Sequence, residues 1–91
     1  KIEASRMLTW KSAYESDGGI RNTESAAHAK RFAADTAMEV STDAVQIFGG
    51  YGYSEEYPVA RLMRAAKVMQ IYEGSSQVQR MIIGREITKD F

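Results

Sequence analysis

Few places in this 91-residue sequence set a titratable side chain where its chemistry could change. Glu73 is the foremost. It follows Gln70-Ile71-Tyr72 and precedes Gly74-Ser75-Ser76, so a helical reading puts it at the C-terminal end of a helix. Partial negative charge gathers there, and stability alone would favour Lys or Arg. Met69, Ile71 and Tyr72 add apolar neighbours. A carboxylate in such a setting suits a general base; the plain alternative is an exposed glutamate. Ser75 and Ser76 carry hydroxyls whose simplest use is to cap the next helix. The second place is Gln46-Ile47-Phe48-Gly49-Gly50. Its glycines either let a ligand approach the backbone or only stop a helix. Tyr51, Tyr53 and Tyr57 form a partner surface or a packed loop. Arg80 and Arg85 are surface charges or interhelix ion pairs.

Other chemistries are poorly supplied. There is no Cys, which excludes disulfides, thiolate zinc sites and cysteine nucleophiles. The single His28 has Glu24 four residues away, and two ligands do not make a metal site. Asp35, Glu39 and Asp43 repeat at helical spacing, but a di-iron bundle needs Glu-x-x-His pairs from facing helices. They read as a solvated acidic face, and no metal is expected. Gly49-Gly50-Tyr51-Gly52 lacks the Gly-Lys-Ser/Thr of a phosphate loop. Twelve Lys+Arg balance twelve Asp+Glu, so the basic excess of a nucleic-acid binder is missing. No apolar run approaches the roughly 18 residues of a membrane span, and no signal or transit segment is visible.

The elements that position these residues read as helices. Ala, Met, Glu, Lys and Arg fill long stretches between a few breakers, and no polar/apolar alternation argues for a sheet. A first helix is expected over about 1–16, with Ile2, Met7, Trp10, Ala13 and Tyr14 on one face. Its pattern is already in phase at Lys1, so the helix is expected to start upstream and the chain to be a fragment or processed product. A second is expected over about 23–48, with Ala26, Ala33, Ala37, Val40, Ala44 and Ile47 letting a neighbour come close. A loop should cover 49–57. A third helix opens with Pro58 in its first turn, turns Val59, Leu62, Met63, Ala66 and Met69 inward and ends near 72–74. A fourth starts at Ser75 or Ser76, with Gln79 completing a capping box and Val78, Met81, Ile82 and Ile83 as its apolar side. It is expected to fray over 89–91. The fold class is therefore all-α: an up-and-down helical bundle whose first helix is truncated.

Taken together, Asp43–Tyr53, Glu56-Tyr57-Pro58-Val59, Leu62-Met63-Arg64 and Gln70–Arg80 resemble the C-terminal helical domain of the acyl-CoA dehydrogenases. The similarity covers essentially the whole chain and is most specific over Asp43–Arg80. It implies that residues 1–91 are the C-terminal α-helical domain of a larger flavoenzyme. It also implies FAD as cofactor. Gln46, Ile47, Phe48, Gly49 and Gly50 would meet the adenosine-diphosphate part of a neighbouring subunit's FAD. Ser75, Ser76 and Gln77 would meet FAD in their own subunit; Ser75 stands where the family often has Thr, and keeps the hydroxyl. Glu73 would be the catalytic base and Gly74 would lie beside the acyl thioester.

The implied reaction removes the proton α to the thioester carbonyl, transfers the β-hydride to FAD and leaves a trans-2-enoyl-CoA, a step of fatty-acid β-oxidation. A Glu at position 73 resembles the short-chain, medium-chain, branched short-chain and glutaryl types, since isovaleryl- and long-chain types carry a small residue there. Acyl-CoA and electron-transfer flavoprotein are the implied partners, together with a homo-oligomer, in keeping with the family a tetramer. A bacterial cytoplasm or mitochondrial matrix is the implied location. An acyl-CoA oxidase, whose reduced flavin meets oxygen, and a noncatalytic helical interaction module are the competing readings. The isolated chain is expected to be inactive, to bury only about two-thirds of its unfolded surface, and to fold marginally or self-associate. A concentration-independent monomer with a sharp, high melting transition would contradict that expectation.

Overall fold

Residues Thr23–Phe48 form one uninterrupted helix, and the rest of the chain is arranged around it. The computed structural model describes residues 1–89. Asp90 and Phe91, within the stretch expected to fray, lie outside the described residues. The elements are α1 (Ile2–Asp17), α2 (Thr23–Phe48), α3 (Gly50–Tyr53), α4 (Pro58–Met69) and α5 (Ser76–Thr88), with no strand among the described residues. The architecture is all-α, as the sequence reading expects.

The breakers act as their chemistry requires. Gly19, at φ 71°, turns the chain out of α1. Asn22 Nδ2 then donates to both the carbonyl and the hydroxyl of Ser12 at 3.1 Å, tying the loop back to α1. Gly49, at φ 66°, ends α2 in a conformation that side chains rarely adopt. Tyr57 is extended and Pro58 occupies the first turn of α4. Where a loop is expected over 49–57, residues Gly50–Tyr53 instead make the single helical turn α3. Gly52 permits it: a Cβ there would stand 2.5 Å from the Val45 carbonyl oxygen and 2.7 Å from Phe48 Cβ. Phe48, Tyr51 and Tyr57 then stack edge to face, with centroids 5.8–6.1 Å apart.

Helix α2 is the shaft of the fold, about 39 Å long at 1.5 Å per residue. Helices α1, α4 and α5 each pack on it and not on one another. The molecule is accordingly drawn out: its radius of gyration is 15.6 Å, against about 12 Å for a compact domain of this length. Its accessible surface is 6505 Å², where about 5,300 Å² is usual for the mass.

Packing on α2 is by small and polar residues. The buried apolar residues are Ala27, Ala29, Ala34, Ala60 and Ala66, and no large side chain is fully buried. This agrees with the expected close approach to α2, though the alanines are mostly others than those anticipated. The expected inward face of α1 is corrected, and those of α5 and α4 are corrected in part. In α1, Ile2, Met7, Trp10 and Tyr14 are 57–76% exposed. The half-buried residues Ser5, Leu8, Ser12 and Glu15 turn the opposite side of α1 to α2. In α5, Ile82 and Ile83 are half-buried, but Val78 and Met81 are exposed, and Ser76, Gln79 and Glu86 are buried. In α4, Ala66 is buried and Val59 and Met63 are half-buried as expected, whereas Leu62 and Met69 are exposed and Ala60 takes an inward place instead. The physical reason is distance: small or hydrogen-bonding residues let a helix lie close against the alanine-lined shaft.

Polar burial is fully compensated, for no buried side-chain polar atom among the described residues lacks a partner. The tightest case is Glu86. Arg21 grips both its oxygens, at 2.5 and 3.0 Å, and Lys89 Nζ lies at 3.0 Å. Arg85 adds a longer contact at 4.0 Å. These donors, Arg21 first, outweigh burial and lower the Glu86 pKa to about 2 from 4.5. The Arg21 guanidinium is reciprocally raised by the same bond. A pKa depressed by folding contributes stability that is complete above the unfolded value and disappears as pH falls through the folded one. The stability advantage of the native chain over Glu86→Gln is therefore expected to be full at neutral pH, to shrink below about 4.5 and to vanish near 2. Denaturant melts of both proteins across pH 7 to 2 check this.

Candidate functional site

The site is the turn between α4 and α5. Helix α4 ends at Met69, earlier than the 72–74 expected, and residues 70–75 carry the chain to α5. Two consecutive residues there have positive φ: Glu73 at 54° and Gly74 at 89°. Glu73 is the only non-glycine with positive φ among the described residues. Such a conformation costs on the order of 1–3 kcal/mol and persists only where the surroundings impose it.

Helix α2 supplies the surroundings. Lys30 Nζ donates to the carbonyls of Met69 at 2.5 Å, Tyr72 at 3.2 Å and Gly74 at 3.5 Å. It also lies 5.8 Å from the centre of the Tyr72 ring. Five residues on, Asp35 Oδ1 accepts from Gln70 Nε2 and from Ser76 Oγ, both at 2.8 Å. Its other oxygen accepts from Arg80 at 3.1 Å, with Arg31 at 3.9 Å. Burial alone would raise the Asp35 pKa, but the bonds from Ser76 and Gln70 and the charges of Arg80 and Arg31 bring it below the usual carboxylate value. From α5, Gln79 Nε2 donates to the carbonyls of Glu73 and Gly74 at 3.3 Å. The Ser76 N–H closes the turn on the Gln70 carbonyl at 3.0 Å.

Several expectations are refined here. Ser75 is the N-cap of α5, its Oγ accepting from the Val78 N–H at 3.2 Å. Ser76 is the first helical residue and spends its hydroxyl on Asp35. Gln79 reaches the turn instead of closing a capping box. The dipole argument for Glu73 also changes: Glu73 lies beyond the helix, and the α4 terminus is met by the Lys30 ammonium, the charge it favours. The Glu73 side chain is exposed. Asp35 belongs to no solvated acidic face. Arg80 is an interhelix ion pair, and Arg85 pairs within α5, loosely, with Glu86.

Of the candidate residues, Glu73, Gly74, Ser75, Ser76 and Gln77 stand together on this turn and the start of α5. Beside them is a polar cleft of about 380 Å³, walled in part by Gln70, Ser75, Ser76, Gln77 and Arg80. Gln46-Ile47-Phe48-Gly49-Gly50 lies apart, at the far end of α2, about 16 Å along the axis from Asp35. Ile47 is 84% exposed and Phe48 45%. No heavy atom lies within 4 Å of where a Cβ would stand on Gly49 or Gly50, so the backbone there is bare. Among the described residues no three His, Asp or Glu gather as a metal would require, and no helix is long and apolar enough to cross a membrane.

Residues 1–88 match the family model for the acyl-CoA dehydrogenase C-terminal domain. The chain belongs to this family. It is 61% identical, over 92% of its length, to a short-chain-specific acyl-CoA dehydrogenase of Megasphaera elsdenii, and covers 22% of that protein. It is 53% identical, over 99% of its length, to cyclohexane-1-carbonyl-CoA dehydrogenase of Geobacter metallireducens, and covers 24% of it. The solved structure of butyryl-CoA dehydrogenase from Megasphaera elsdenii superposes with a TM-score of 0.92 at 59% identity, over 94% of this chain and 22% of that one. The chain thus spans less than a quarter of the length of these relatives.

Sequence reasoning missed Lys30 and passed over Asp35. Their signal was present: an opposite pair of charges inside an alanine-rich stretch of the longest helix. Asp35→Ala is expected to strand Gln70, Ser76 and Arg80 together. Each lost bond to a charged group is worth about 1.5–3 kcal/mol, so a loss of at least about 1.5 kcal/mol is expected in denaturant melts. A loss under about 0.5 kcal/mol would show that Asp35 does not hold the turn.

Proposed function

We propose that residues 1–91 are the C-terminal α-helical domain of a larger FAD-dependent acyl-CoA dehydrogenase, which oxidises an acyl-CoA thioester to trans-2-enoyl-CoA. The observation that carries the reading is the turn itself. It holds a glutamate and a glycine in left-handed backbone, gripped from two helices, within a chain of this family. A strained conformation so firmly held marks functional geometry.

In this reading the Glu73 carboxylate takes the proton from the carbon α to the thioester carbonyl. The α C–H electron pair becomes the new C=C bond as the β-hydride departs. Gly74, lacking a side chain, leaves room for the thioester beside Glu73. Exposure of Glu73 in this chain suits a base that substrate itself covers, since the bound acyl chain excludes water and sharpens the charge interactions. FAD, when bound, supplies the acceptor for the hydride. The residues fit it: Ser75, Ser76 and Gln77 border a polar cleft, and the bare backbone of Gly49-Gly50, flanked by exposed Gln46, Ile47 and Phe48, offers a second contact. The two stretches sit at different heights along α2, which suits two different flavins, one belonging to a neighbouring subunit. That arrangement calls for a homo-oligomer, a tetramer in keeping with the family.

Electron-transfer flavoprotein is the proposed acceptor of the electrons, in a bacterial cytoplasm or mitochondrial matrix. Relatives named for butyryl and cyclohexane-1-carbonyl thioesters favour a short or compact acyl group. Glu73→Gln in the full-length flavoprotein is expected to keep the yellow flavin and lose turnover by at least about 100-fold, the scale of a general base. Steady-state assays with a short acyl-CoA check this, and undiminished turnover overturns the assignment.

A further inference from the structure

We propose that Lys30 is a positioning residue for this reaction: its ammonium gathers three carbonyls of the 69–74 segment and so fixes the backbone from which Glu73 reaches the substrate. The proposal rests on the reading of Glu73 as the base and assigns to α2 the task of aiming it.

The geometry is specific. An ammonium has three donors and no acceptor. Lys30 Nζ has three carbonyl oxygens within 3.5 Å, and they belong to Met69, Tyr72 and Gly74. One is the last residue of α4 and the others flank Glu73. Two of these carbonyls, those of Tyr72 and Gly74, bracket the positive-φ pair Glu73 and Gly74. Without a cation between them, their negative ends would repel, and the strained pair would relax toward ordinary backbone. Lys30 itself is carried two turns into α2, the helix on which all the others pack, so the turn is referenced to a supported part of the fold. Gln79, from α5, shares the Gly74 carbonyl with Lys30 and adds the Glu73 carbonyl. A guanidinium would not substitute: its planar fork is built for bidentate partners and not for three oxygens around a point.

Lys30 touches no reacting atom, so its removal should appear in the chemical step. In the full-length flavoprotein, Lys30→Met is expected to keep its flavin and its KM within a few-fold while kcat falls by about 100-fold, the cost of a misplacement near 1 Å. Hydrogen exchange of the amides of residues 71–75 is expected to quicken about tenfold, with the middle of α2 and of α5 unchanged. Lys30→Arg, which keeps the charge, is expected to restore less than half of the lost kcat. Lys30→Gln reads the same quantities where Lys30→Met yields too little folded flavoprotein. Unchanged exchange in the turn overturns the clamp whatever Glu73 does. Faster exchange with unaltered kcat overturns the positioning role. Full activity of Glu73→Gln beside a loosened turn in Lys30→Met overturns the base assignment and leaves the clamp standing, which separates the two failures.

Discussion

Two opposite charges on one helix determine the shape of the α4–α5 turn. Residues 70–75 have no regular hydrogen-bonding pattern of their own and include two consecutive residues at positive φ. What fixes them is Lys30 against carbonyl oxygens and Asp35 against amide and hydroxyl donors, both projecting from α2. Each charge meets the complementary ends of neutral dipoles. A partly buried charge is tolerable when its hydrogen bonds are all made, and here the bonds made are those that define the turn. Gln70 ties the Asp35 side of the turn to both flanking helices: its side chain donates to Asp35 and accepts from Lys67 of α4, and its carbonyl receives the N–H of Ser76 in α5.

This division of labour explains the unusual packing. Among the described residues every buried apolar residue is an alanine, and the buried polar positions are serine, threonine, glutamine and glutamate. Cohesion comes from close approach and from directed polar contacts such as Arg21–Glu86 and Asp35–Ser76. Polar seams are demanding, because every group must find its partner, and they repay this in uniqueness of register. Helix α5 is pinned at three separate points, Ser76 to Asp35 of α2, Gln79 to the turn and Glu86 to Arg21 just before α2, whereas an apolar stripe would tolerate sliding.

Much of this was legible in the residues. Pro58 and Gly49 bound their helices, the long Thr23–Phe48 segment forms one element, and the run Asp43–Arg80 announces the family. What sequence reasoning misjudged was orientation. The periodicity of Ile2, Met7, Trp10 and Tyr14 correctly marks one face of α1, but amphipathic reasoning assumes that the apolar face turns inward. Here the small, polar face does, because α2 offers alanines and hydrogen-bonding groups. The end of α4 was placed too late because Gln70-Ile71-Tyr72 has fair helical propensity; Lys30 and Asp35, distant in sequence, override it. The capping box was misread for a like reason: Gln79 finds better acceptors in the turn than in its own helix start. Long-range polar contacts of this kind leave no local trace.

The unbroken run of α2 carries a last implication. Asp35 fixes one end of the proposed active arrangement and Gln46–Gly50 forms the other, with the ten helical residues between Asp35 and Gln46 acting as spacer. An α-helix converts residue count into both height and azimuth, about 1.5 Å and 100° per residue. A single insertion in that spacer would swing the glycine end more than a quarter circle away from its present bearing while barely lengthening the rod. The length of the spacer therefore sets two quantities at once: the helix behaves as a ruler whose graduations are also a compass.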